Sequence, residues 1–215
     1  PILGNLTFSS LFPNTPTMVN WHSNNFRLKS IKANWLVEAA LNCNAKLKGH
    51  PKAHQISLTA ITRIDVSNNS LKEIPTEFFT LLSLRYLNLS QNKLNCIPIE
   101  DITTPVKSKR EKKFEYNVPV LEELYLQDNR LEIIPPSIFR LPSLLILDVS
   151  NNKLQELPFE MWRSPKLREL NVSFNLLKDL PNLPPEEFLF SGSENMLLSP
   201  VADAYLFTNL AYDDR

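Results

Sequence analysis

The chain has 215 residues, 43% of them hydrophobic and 21% charged, the balance of an ordinary globular protein. Lys plus Arg and Asp plus Glu both number 23, so global charge gives no reason to expect a nucleic-acid or other polyanion partner. Glycine is scarce (3) and proline plentiful (17), which argues against glycine-rich phosphate loops and for many stiff turns.

Residues 1–55 read as a leader and capping segment. The opening Pro1-Ile2-Leu3-Gly4 has no start methionine and no charged region before an apolar run, so it is not a signal peptide and the chain reads as an excised fragment. Between 17 and 41, Trp21, Phe26, Leu28, Ile31, Trp35, Leu36 and Leu41 supply large apolar side chains, and residues 34–41 form a short helix. The tryptophans seal an apolar edge, with a ligand-binding box as the other reading. Residues 42–55 are polar and read as a loop; Ile56 and Leu58 are expected to add a strand before the first full repeat.

From Ile61 the chain repeats itself. Ile61, Ile64, Val66, Asn69, Leu71, Ile74, Pro75, Phe78 and Leu81 recur 23 residues later as Leu84, Leu87, Leu89, Asn92, Leu94, Ile97 and Pro98. After a step of 37 the same positions hold Leu121, Leu124, Leu126, Asn129, Leu131, Ile134, Pro135, Ile138 and Leu141. Two more steps of 23 give copies starting at Leu144 and Leu167, with Asn152 and Asn175 at the asparagine position. The shared pattern is LxxLxLxxNxLxxLPxxI. Its LxL core alternates apolar and polar residues, the mark of a short strand with one buried face. Such a strand cannot bury its leucines alone; stacked copies in a parallel sheet make one continuous core.

The asparagine is expected to turn the chain after each strand, its amide bonding backbone groups that the turn leaves unpaired. Asn69, Asn92, Asn129, Asn152 and Asn175 form a ladder, and losing one rung is expected to cost roughly 1–3 kcal/mol. The proline starts the return on the convex side. The apolar residue three positions on (Phe78, Ile138, Met161) packs from a short helical turn.

These residues resemble the leucine-rich repeat family, over residues 61–183. The 23-residue Leu-Pro form is similar to the intracellular repeats of Ras-pathway scaffolds, Erbin-like proteins and Roco leucine-rich-repeat kinases. The resemblance implies an α/β repeat fold: a curved solenoid with a parallel β-sheet on the concave face and short helical or irregular returns on the convex face. It also implies a non-catalytic module for protein interaction or scaffolding. In the Roco type it would be a regulatory arm before a GTPase and a kinase domain.

Domain limits follow as 1–55 for the cap, 56–185 for the solenoid with five regular repeats, and 186–215 for an irregular cap or linker. The excess in the second repeat, about 99–120, is a surface loop. It carries Lys107, Lys109, Arg110, Lys112 and Lys113, either a basic patch for phosphate, acidic lipid or an acidic partner, or a solvated loop.

No chemistry is legible. His22, His50, His54 and Cys43 lack metal-ligand spacing, and Pro51 breaks the one helical histidine pair. No phosphate loop, nucleophile elbow or kinase catalytic loop occurs, so no catalytic residue, metal or cofactor is expected in this stretch. Two cysteines, Cys43 and Cys96, cannot build the disulfide caps of secreted repeat proteins, which points to a reducing, cytoplasmic setting. An extracellular receptor ectodomain is the disfavoured alternative. Of the glycosylation triplets that start at Asn5, Asn68, Asn88 and Asn171, the last three fall inside repeat segments that the fold itself dictates. No apolar run of about 18 residues exists, so no membrane span is expected.

The working surface is expected to be the concave face, offered to a protein partner or to another domain of the same chain, with no nucleic acid. Its candidate residues are Arg63, Arg85, Tyr86, Glu122, Glu123, Tyr125, Leu145, Ile146, Arg168, Glu169 and Phe174. Tyr86 and Tyr125 fall on consecutive strands, and aromatic and arginine side chains dominate interface energies.

Overall fold

The computed structural model describes residues 17–22, 27–43, 58–99, 118–182 and 205–207. Among the described residues, seven strands form one parallel sheet in strict chain order: β1 Thr17–Asn20, β2 Ile61–Asp65, β3 Tyr86–Asn88, β4 Glu123–Tyr125, β5 Ile146–Asp148, β6 Glu169–Asn171 and β7 Tyr205–Phe207. The register is constant, with Ile64, Leu87, Leu124, Leu147 and Leu170 paired side by side. Each of these central residues is fully buried, as are the leucines and valines at the first and sixth positions of the five copies, so the apolar rows merge into one core. The alternation of the LxL core does this: the fourth position faces in while the third and fifth face the concave side.

The convex returns are short helical turns. Thr76–Thr80 and Phe159–Arg163 are single 3-10 turns and α2, Pro136–Phe139, is one α-helical turn. Each follows the repeat proline (Pro75, Pro135, Pro158), whose extended φ near −60° and ψ near 140° aim the chain into the turn. From these turns Phe78, Ile138 and Met161 reach the core at 0% exposure, and Phe79 and Phe139 join them. In the fourth copy Ser164 stands where Leu81 and Leu141 stand in the first and third, buried, its hydroxyl without a hydrogen-bond partner.

The ends differ from the sequence-based expectation. The capping segment contributes strand β1, with Val19 paired to Ile64, and Trp21 at the position of Val66. Helix α1, Asn34–Cys43, buries Leu36, Ala39 and Ala40 behind it, and Trp35 meets Trp21 edge-on at 6.1 Å. Trp21 also lies 6.4 Å from Phe78, so the tryptophans close the core edge. Leu58 is in a helical turn rather than a strand; the strand starts at Ile61, and Ile56 lies outside the described residues. The segment 186–215, expected to be irregular, adds β7, with Leu206 beside Leu170 across a step of 36 residues. Periodicity missed both end strands because one copy each side lacks the regular spacing.

At the two ends of the stretch expected to be the insertion, Ile99 and Val118 are buried at 7% and 0% exposure, while residues 100–117 lie outside the described residues. Lys107, Lys109, Arg110, Lys112 and Lys113 lie outside the described residues.

Candidate functional site on the concave sheet

An asparagine ladder holds the sheet edge. In Asn92, Oδ1 accepts from the Leu71 amide at 3.1 Å, while Nδ2 donates to the carbonyls of Val66, Leu89 and Ser90 at 3.0, 3.1 and 3.0 Å. Asn129, Asn152 and Asn175 repeat this four-bond set one copy further on each time. Asn69 extends it into the cap, accepting from Leu28 and donating to the carbonyl of Trp21. The ladder thus ties the irregular cap to the regular repeats with the same chemistry.

The turn itself is made one residue earlier than the sequence suggested. Asn68, Gln91, Asp128, Asn151 and Phe174 all have φ between 51° and 58°. That left-handed geometry suits asparagine and aspartate but is costly for a bulky side chain. Phe174 is therefore strained, and it is 68% exposed. Phe174→Asn is expected to raise stability by roughly 1 kcal/mol, read by urea denaturation, because it relieves the backbone at little cost in burial. No gain would mean that the phenyl ring makes contacts worth the strain.

A second ladder runs beside the first. Asp65 Oδ1 accepts from the amide and hydroxyl of Ser67 at 2.9 and 2.7 Å, and Asp148 does the same with Ser150. Asn88 and Asn171 take the equivalent role and donate to the carboxylates of Asp65 and Asp148 at 3.4 and 3.2 Å. His22 Nδ1 joins it at 2.8 Å from Ser67 Oγ. These aspartates and asparagines are structural, and their fixed spacing from the serine two residues on is the signal that finds them.

The candidate binding residues fall into three rows. Arg85, Glu122, Leu145 and Arg168 lie at the second position, just ahead of the strands; Arg63, Tyr86, Glu123, Ile146 and Glu169 lie at the third, on the strands; Tyr125 is at the fifth. Phe174 sits apart, in the turn beyond the far ends of the strands.

The structure brings the middle of this set together. The Arg63 guanidinium lies 3.9 Å from the centre of the Tyr86 ring, a cation–π contact of roughly 0.5–1 kcal/mol at an exposed site. The Tyr86 and Tyr125 rings lie 5.5 Å apart, and the Tyr125 hydroxyl donates to Glu123 at 3.0 Å. Arg85 pairs with Glu122 across adjacent copies.

Partial burial, the hydrogen bond to Glu123 and the negative charge of Glu123 push the Tyr125 phenol up to about 12. Burial and the charge of Asp65 also raise Tyr86. A raised folded-state value favours the neutral phenol. Its stabilisation is present below about pH 10, the unfolded value, and is lost as pH rises toward 12. The 295 nm absorbance difference between the protein and Tyr125→Phe is expected to show one tyrosinate appearing near pH 12 rather than 10. Ionisation at pH 10 would remove the Glu123 contact from the account.

Among the described residues no group of three His, Cys, Asp or Glu side chains is placed to hold a metal ion, and no helix is long and apolar enough to cross a membrane. Cys96 is exposed and unpaired; His50 and His54 lie outside the described residues.

The stacked LxxLxLxxN units define this solenoid as a member of the leucine-rich repeat family. The leucine-rich repeat family model matches residues 58–102 and 119–177. Such a repeat array is a protein-interaction module. Over 136 residues, 58% of the chain, it is 39% identical to leucine-rich repeat serine/threonine-protein kinase 1 of Caenorhabditis elegans. Over 96 residues, 43% of the chain, it is 33% identical to human Toll-like receptor 2. The chain spans only 5% and 12% of the lengths of these two relatives. The crystal structure of the leucine-rich repeat domain of APL1B has the same fold, with a TM-score of 0.50 and 22% identity over 72% of this chain and 38% of that one.

Proposed function

We propose that this solenoid is the non-catalytic regulatory arm of a larger cytoplasmic signalling protein of the Roco GTPase/kinase type. Its concave sheet binds a protein partner or another domain of the same chain. The observation that carries the binding face is the contiguous set Arg63, Tyr86, Tyr125 and Glu123, with the Arg85–Glu122 pair beside it. Aromatic and arginine side chains held in place by neighbours lose little freedom on binding and are the usual anchors of interfaces. The 39% identity to a leucine-rich repeat kinase supports the parent class.

Sequencing the parent transcript beyond residue 215 tests the parent class. A GxxxxGK[ST] loop followed by kinase motifs is the expected result; continuation into other binding modules, or an early end, would make the chain a stand-alone scaffold. Charge reversal by Arg85→Glu with Glu123→Lys tests the face. The variant is expected to keep its circular dichroism spectrum and melting temperature, since exposed ion pairs contribute about 0–1 kcal/mol. Association with the parent's remaining domains should weaken, and an unchanged affinity in pull-down would sink the concave-face assignment.

The similarity to Toll-like receptor 2 favours a second reading, an extracellular ectodomain. Asn88 and Asn171 occupy glycosylation triplets on the concave strands. A glycosidase-sensitive mass shift of the natural protein would select the ectodomain and exclude the cytoplasmic arm.

A further inference from the structure

The third-position row reads, in register from β2 to β6, Arg63, Tyr86, Glu123, Ile146, Glu169. Its chemistry alternates: a cation, an aromatic ring, a carboxylate, an aliphatic side chain, a carboxylate. Arg63 and Glu169 are exposed, and Tyr86, Glu123 and Ile146 are half-buried. Leu145, also half-buried, widens the apolar step beside Ile146. In the middle of the row, Glu123 takes the Tyr125 hydroxyl on one carboxylate oxygen, Oε2.

Resting on the concave-face reading, we infer that this row receives one face of an α-helix that sets basic side chains over Glu123 and Glu169 and an apolar side chain over Ile146. Two arguments select this occupant. The first is charge: the apolar step at Ile146 is flanked on both sides by carboxylates, which complement a segment carrying cation, apolar, cation. At its other end the row calls for an apolar residue over Tyr86 and an acidic one near Arg63.

The second is spacing. Neighbouring strands lie about 4.8 Å apart, so the five side chains recur every ~4.8 Å along the solenoid. A helix laid across the strands rises about 1.5 Å per residue. Its residues i, i+3, i+7, i+10 and i+14 share one face and fall at roughly 0, 4.5, 10.5, 15 and 21 Å, nearly in step with the row. An extended strand puts same-face side chains about 6.6 Å apart and loses register after two steps. The i+7 separation matches the two-strand distance from Glu123 to Glu169.

The test uses a synthetic fluorescent helical peptide with Glu at i, Leu at i+3 and i+10, and Arg at i+7 and i+14, titrated onto the whole chain by anisotropy. Saturable binding is expected, weakened at least about tenfold by Glu123→Lys with Glu169→Lys, as for the loss of contacting charge pairs. A peptide with both Arg changed to Glu should rescue that double variant. The proposal is overturned if no saturable binding appears, if a composition-matched scrambled peptide binds equally, if a proline-broken peptide binds as well, or if the double variant binds undiminished. In the last case Tyr86→Ala separates the two levels: loss of binding keeps the concave-face reading and moves the contact to the tyrosines, whereas retained binding removes both.

Discussion

Replacing Leu124 by alanine is expected to destabilise the protein by about 2–5 kcal/mol, the range for emptying a buried leucine site. Leu124 is fully buried at the centre of β4, paired in register with Leu87 on one side and Leu147 on the other. A repeat array is held together by its nearest-neighbour interfaces, and this one residue serves two of them. The strands on either side are tied to their own neighbours and cannot move in to fill the gap. Chemical denaturation should show the midpoint falling, with a second transition or a reduced slope if the solenoid separates into halves. Ile133→Ala, at a position 66% exposed, is the matched control and should change stability by no more than about 0.5 kcal/mol. A loss at Leu124 as small as the control's would contradict the continuous core.

The asparagine ladder gives the second large effect. Asn129→Ala removes the acceptor of the Leu94 amide and the donor to the carbonyls of Leu89, Leu126 and Gln127. The stranded Leu94 amide alone is expected to cost about 1–3 kcal/mol. Asn129→Asp is the sharper variant, since it keeps the acceptor and replaces the donor by a carboxylate facing three carbonyls. The carbonyl dipoles disfavour the charged form and raise the new group's folded-state value above its unfolded ~3.9. Stability from the protonated form is then present below about pH 4 and lost as pH rises toward the folded value. The deficit relative to the natural protein should grow from pH 4 to 7, measured by paired denaturation curves. A pH-independent deficit would show that the introduced carboxyl reaches water.

The five regular copies are legible in residues 61–181 because each inward position is set by local alternation and each turn by a proline or asparagine at constant spacing. Ladder membership of Asn69, Asn92, Asn129, Asn152 and Asn175 follows from the same recurrence. The left-handed eighth position was not legible, since its occupants (Asn, Gln, Asp, Asn, Phe) share a backbone shape and no side-chain chemistry. The pairing of Arg63 with Tyr86 is likewise invisible along the chain: it depends on two strands 23 residues apart lying in exact register.

By itself, then, the sequence determined the repeat, its parallel stacking and the residues that fill the core, because a strand with one apolar face and no partner of its own must stack on its copies. Only the tertiary structure decided that the stack continues beyond the five regular copies. Val19 and Leu206 enter the sheet from segments without the regular spacing, pairing with the backbone edges that β2 and β6 would otherwise leave without a neighbouring strand. An edge of that kind selects a neighbour by shape and burial, and those are properties of the assembled sheet rather than of any stretch of chain.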